Sequence, residues 1–79
     1  MTPTVFTDKG FRFLFFSREE ARPHVHVQGA EGEAKFWIEP RVALVRSTGL
    51  SSRDLRVIEH IVEERRDEIA RAWHRHFSR

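Results

Sequence analysis

The residues best suited to proton transfer in this chain are His24 and His26, set two apart in the run Pro23-His24-Val25-His26-Val27. Imidazole is the side chain that titrates near neutrality, and residues i and i+2 of a strand lie on one face. Beside Lys35 and Arg12, such a pair could activate a ribose hydroxyl and stabilise the phosphorane that follows, which is the chemistry of a metal-independent ribonuclease. The catalytic candidates are therefore His24, His26 and Lys35. Three other readings stay open. The pair could ligate a metal with Glu33 or a helix histidine, although a zinc site wants three or four ligands and only two have fixed geometry here, so no metal or cofactor is assigned. The same face could be a non-catalytic binding surface, with Phe16 and Trp37 as stacking residues and Arg12 and Lys35 as phosphate or carboxylate contacts. Finally, both histidines could be ordinary polar residues on the solvated face of a sheet.

Alternation supplies the elements that would position these groups. Phe11-Arg12-Phe13-Leu14-Phe15-Phe16-Ser17 follows Gly10 and suits a strand. A charged connection, Arg18-Glu19-Glu20-Ala21-Arg22, ends at Pro23, and His24-Val25-His26-Val27-Gln28 alternates as a second strand. Gly29-Ala30-Glu31-Gly32 has turn chemistry, and Glu33-Ala34-Lys35-Phe36-Trp37-Ile38-Glu39 alternates until Pro40. With that loop as the hairpin, Gln28 faces Glu33, His26 faces Lys35 and His24 faces Trp37. Arg41 to Arg46 reads as a fourth strand or an irregular crossover.

Ser51 with Asp54 has the spacing of a capping box. From there Leu55, Ile58, Ile61, Val62, Ile69, Ala72, Trp73 and Phe77 recur at helical spacing. The expectation is α+β: a three- or four-stranded antiparallel meander over about residues 10–46, packed on one long C-terminal helix over about 52–77, as one domain spanning 1–79. Such a helix would be roughly 39 Å long against about 23 Å for a seven-residue strand, so it should overhang the sheet or break. An overhang would expose Trp73 and Phe77, one turn apart, as anchors for a second copy or a partner, which makes Trp73 a binding candidate and a homodimer one option. His74 and His76 differ by about 200° around the helix and cannot share a site. His60 is a helix surface residue.

Composition excludes several classes. There is no cysteine, which removes disulfides and thiolate chemistry and makes the cytoplasm the default compartment. The longest apolar runs, Phe13-Leu14-Phe15-Phe16 and Val42-Ala43-Leu44-Val45, are far too short to cross a bilayer. A formal net charge of +2 argues against a phosphate-binding field over the whole surface. The basic end, Arg71, His74, Arg75, His76 and Arg79, could meet nucleic acid or an acidic partner, and it also complements the negative end of a helix dipole, which is the reading preferred. Gly29 and Gly32 flank a hairpin without a following helix, so they make no phosphate loop, and no serine has the spacing of an activated nucleophile.

Gly10-Phe11-Arg12-Phe13, Phe15-Phe16-Ser17, Pro23-His24-Val25-His26-Val27, Glu33-Ala34-Lys35-Phe36-Trp37-Ile38 with Pro40, and Trp73-His74 with Phe77 together resemble the small bacterial family known as domain of unknown function 4160, over nearly the whole chain. The resemblance implies a toxin-antitoxin type of module encoded beside another small protein, which would be the partner. The expected role is the toxin-like member acting on RNA or the translation machinery through an open sheet face. The alternative is a non-enzymatic protein-binding module, the neutralising partner itself, using the same face.

Overall fold

A computed structural model describes residues 4–16 and 21–77. Ser17, the Arg18 to Glu20 part of the charged connection, and Ser78 and Arg79 at the basic end lie outside the described residues. Five strands, β1 (Thr4–Asp8), β2 (Phe11–Leu14), β3 (His24–Gln28), β4 (Glu33–Trp37) and β5 (Ala43–Thr48), precede two helices, α1 (Ser52–Glu64) and α2 (Arg66–Phe77). The sheet is an antiparallel meander in the order β1-β2-β3-β4-β5.

Two expectations about the elements need correction. The sheet has five strands, where three or four were expected, because β1 pairs with β2 through the turn Asp8-Lys9-Gly10. Lys9 and Gly10 both have positive φ, 51° and 82°, the backbone of a type I′ hairpin turn whose twist matches the flanking strands. The run from Arg41 is a true strand, shifted to Ala43–Thr48. β2 closes at Leu14, short of the Ser17 expected.

The second correction is to the single long helix, which is interrupted at Arg65. Neither proline nor glycine marks the place. The helical bonds Arg65 N–H to Ile61 O and Ile69 N–H to Arg65 O persist at 2.9 Å each, while the Arg65 backbone leaves helical values at φ −106°, ψ 20°. Its guanidinium binds Glu68 through two bonds of 2.9 and 3.0 Å, reaches Asp8 Oδ2 at 3.4 Å and lies 3.4 Å from the Phe6 ring centroid. The junction is therefore tied to β1. Hydrogen bonding to Glu68 raises the Arg65 pKa, and the same contact holds Glu68 below the usual carboxylate range. Interrupting the helix resolves the mismatch of lengths, since two pieces of roughly 20 and 18 Å each suit the sheet.

The expected cap is in place: Asp54 N–H donates to Ser51 Oγ at 3.0 Å. Both helices cover one face of the sheet, where Phe13, Val25, Val27, Ala34, Phe36 and Ile38 meet Ile58, Ile61, Val62, Ile69, Ala70 and Trp73. Trp73 is thus part of the core and only 7% exposed, with Phe77 half-buried against it at 4.6 Å between ring centroids. The overhang that would have made Trp73 a docking anchor does not exist. Among the described residues no helix is long and apolar enough to cross a membrane.

Candidate functional site

The helices leave the opposite face of the sheet to the residues singled out by their chemistry. β3 and β4 pair as expected, with His24 opposite Trp37, His26 opposite Lys35 and Gln28 opposite Glu33. Neighbouring ladders extend these pairs into rows that cross the sheet. One row runs Leu14, His26, Lys35, Arg46, and the next runs Arg12, Gln28, Glu33, Thr48. Arg46 is the residue that sequence reasoning missed. Its signal was the β4–β5 register, hidden because β5 carries an extra residue, Val45, between the partners of Lys35 and Phe36.

This face is not open, which corrects the expectation of solvated histidines. His24 is 1% exposed, and His26 and Lys35 are 8% each. The cover is aromatic and cationic. Phe16 lies over His26 with 4.0 Å between ring centroids, and His24 stands edge-on to both His26, at 5.1 Å, and Trp37, at 5.8 Å. Arg22 and Lys35 both place their charges over the Trp37 ring, at 4.2 and 4.9 Å from its centroid. A long cationic side chain can bury its stem in this way while its head reaches water. Arg22 is held by Nε donating to the carbonyl oxygen of Glu39 at 2.9 Å.

The two imidazoles have different surroundings. His24 Nδ1 lies 2.8 Å from the carbonyl oxygen of Arg22. A carbonyl only accepts, so Nδ1 carries the proton, and a neutral His24 keeps its lone pair on Nε2. His26 lines a cavity of about 120 Å³ together with Phe16, Lys35, Arg46, Ser47 and Thr48. Pockets for drug-sized ligands begin near about 300 Å³, so this one suits a group of phosphate size. Glu33 and Ala34 complete its wall. Lys35 and Arg46 stand directly opposite on adjacent strands, an arrangement of like charges that costs stability unless an anion lies between them.

Of the proposed site residues, His24, His26, Lys35, Phe16 and Trp37 form one contiguous group. Arg12 belongs to the same face one row away, with Nε donating to Thr4 Oγ1 at 2.8 Å. Trp73 lies in the core beneath the opposite face. Among the described residues, no three His, Cys, Asp or Glu side chains are grouped to hold a metal ion.

The sequence model of the family described as Domain of unknown function (DUF4160) matches residues 10–74 of the 79. That span runs from the β1–β2 turn to the third turn of α2 and contains every residue of the polar face named above. No curated protein and no solved structure matches the chain.

Proposed function

The chain belongs to the DUF4160 family, and on that premise we propose that it is a toxin-like component of a bacterial toxin-antitoxin module that acts in the cytoplasm by holding RNA. The observation that supports this reading is the row His26, Lys35, Arg46 beside a cavity of phosphate size. Two cations facing each other receive a backbone phosphate, and the serine and threonine hydroxyls at the cavity wall supply further donors. Phe16, partly exposed over His26, gives a base a surface to stack on.

Burial supports holding RNA over cutting it. A two-histidine mechanism needs both imidazoles at the substrate, and His24 is covered by His26 and Trp37. His26 borders the cavity but is itself only 8% exposed, so the two imidazoles are not placed together at a substrate as an acid/base pair. The geometry therefore favours interference by binding, with His24 positioning His26, over metal-independent cleavage.

The test measures binding of a single-stranded RNA by fluorescence anisotropy across a salt series, with growth arrest on expression alone followed in parallel. The double variant Lys35→Ala, Arg46→Ala should weaken binding at least tenfold and flatten the dependence of log Kd on log salt by about two phosphate contacts. Growth arrest should disappear with it. Unchanged RNA affinity in a folded double variant would sink the reading, and accumulation of cut RNA would replace holding with catalysis.

A second reading, a non-enzymatic module that binds a protein partner, is favoured by a separate feature, the edge strand β5.

A further inference from the structure

The large hydrophobic side chains that stay exposed among the described residues are Phe16 (37%), Leu44 (45%) and Val45 (36%), and two of the three belong to β5. β5 is the last strand of the sheet, so one row of its main-chain N–H and C=O groups has no strand beside it among the described residues. Five of its six residues are exposed. The opposite edge differs: β1 packs Val5 and Phe6 against the core, and Arg65 closes onto Asp8. β5 carries one bulge, at Val45, but neither proline nor a string of charges, and such an edge remains a template for pairing on either side of the bulge.

Charge indicates the occupant. Arg41, Arg46 and Arg53 are exposed on and around β5, and none of them takes part in an ion pair among the described residues. The nearby acids are Glu33, on the cavity wall, and Glu31 in the hairpin loop, both exposed, with Asp54 half-buried beside Arg53. A second copy fits poorly, because two-fold pairing would bring a second arginine-bearing strand against the first. Nucleic acid would satisfy the arginines but not the main-chain groups or the apolar Leu44 and Val45. An extended polypeptide with alternating apolar and acidic side chains satisfies all three.

We propose that β5 is a docking edge that adds a strand from a partner protein, the partner segment being extended, apolar on one face and acidic on the other. Main-chain bonds along β5 give the affinity, and a carboxylate opposite Arg46 sets partner choice and register. Arg46 both lines the cavity and belongs to β5, so a partner carboxylate and an RNA phosphate would compete for it, and docking is measured without RNA.

The test titrates the whole chain, without RNA, with a synthetic octapeptide alternating valine and glutamate, and separately with its valine–lysine counterpart, following backbone amide shifts and amide exchange. The acidic peptide should shift and protect the amides of β5, with at least tenfold preference over the basic one. Arg46→Glu should reverse the preference, a gain that a merely destabilised protein would not show. The proposal is overturned by absence of binding, by equal binding of both peptides, by perturbations that map to β1 instead, or by light scattering that shows β5 already occupied in a homodimer that Val45→Glu dissolves.

Discussion

An imidazole whose Nδ1 proton is committed to a carbonyl and whose ring is sealed between two others has little contact with substrate or solvent. His24 is in that position, and its neighbour two residues on is not. Removing it opens a cavity and leaves the Arg22 carbonyl without its donor, so His24→Ala should cost about 1 to 3 kcal/mol in urea unfolding. His26 borders an existing cavity, and His26→Ala should cost less than half as much while weakening RNA binding. Equal stability losses for the two would show that the structural difference between them is not real. Alternation along the chain was enough to place both histidines on one face with Lys35 and Trp37. It did not reveal burial, because the cover comes from Phe16 and Arg22, residues before and beside the strand whose reach no periodicity encodes.

Elements tie together through few side chains, and the junction at Arg65 joins both helices to β1. Glu68 is held below the ordinary carboxylate pKa chiefly by its hydrogen bonds to Arg65. A depressed carboxylate stabilises the fold above its unfolded value of about 4.3, and that contribution is lost as pH falls through the lower folded value. Glu68→Gln should therefore be less stable than the parent at pH 7, by no more than about 1 kcal/mol for so exposed a pair. The difference should shrink in chemical denaturation once the pH drops below about 4.3 and vanish only when it has fallen through the lower folded value of Glu68. A gap that stays constant with pH would mean that the Arg65 contact contributes nothing. Legibility followed the local signals here. Gly29 and Gly32 fixed the β3–β4 register, and Ser51 with Asp54 fixed the start of α1. The strand β1 was missed although Asp8-Lys9-Gly10 is a turn signal, because five residues with only Val5 and Phe6 apolar give a weak pattern. The end of α1 has no sequence mark at all: contacts from Asp8 and Phe6, far away in the chain, accompany the break.

Whether α2 is an appendage or half of the core is a question for the whole molecule. A folded chain of 79 residues is expected to be stable by roughly 4 to 12 kcal/mol, at about 0.05 to 0.15 kcal/mol per residue. α2 contributes Ile69, Ala70 and Trp73 to the buried cluster, and through His76 and Phe77 it meets Phe15 at 6.0 Å between ring centroids. Burying the two large side chains alone is worth about 3 to 6 kcal/mol, comparable with the lower half of the total. A chain ending at Glu64 should consequently lose cooperative unfolding and amide dispersion, since the sheet face left bare includes Phe15 and Val25. The full-length variant Trp73→Ala should lose about 3 to 5 kcal/mol and remain folded only if the parent lies in the upper half of that range. If the truncated chain still melts cooperatively within about 1 kcal/mol of the parent, then α1 and the sheet form the domain by themselves. In that case the polar face does not need α2 behind it, and the aromatic cluster of Trp73 and Phe77 must be explained by something other than folding.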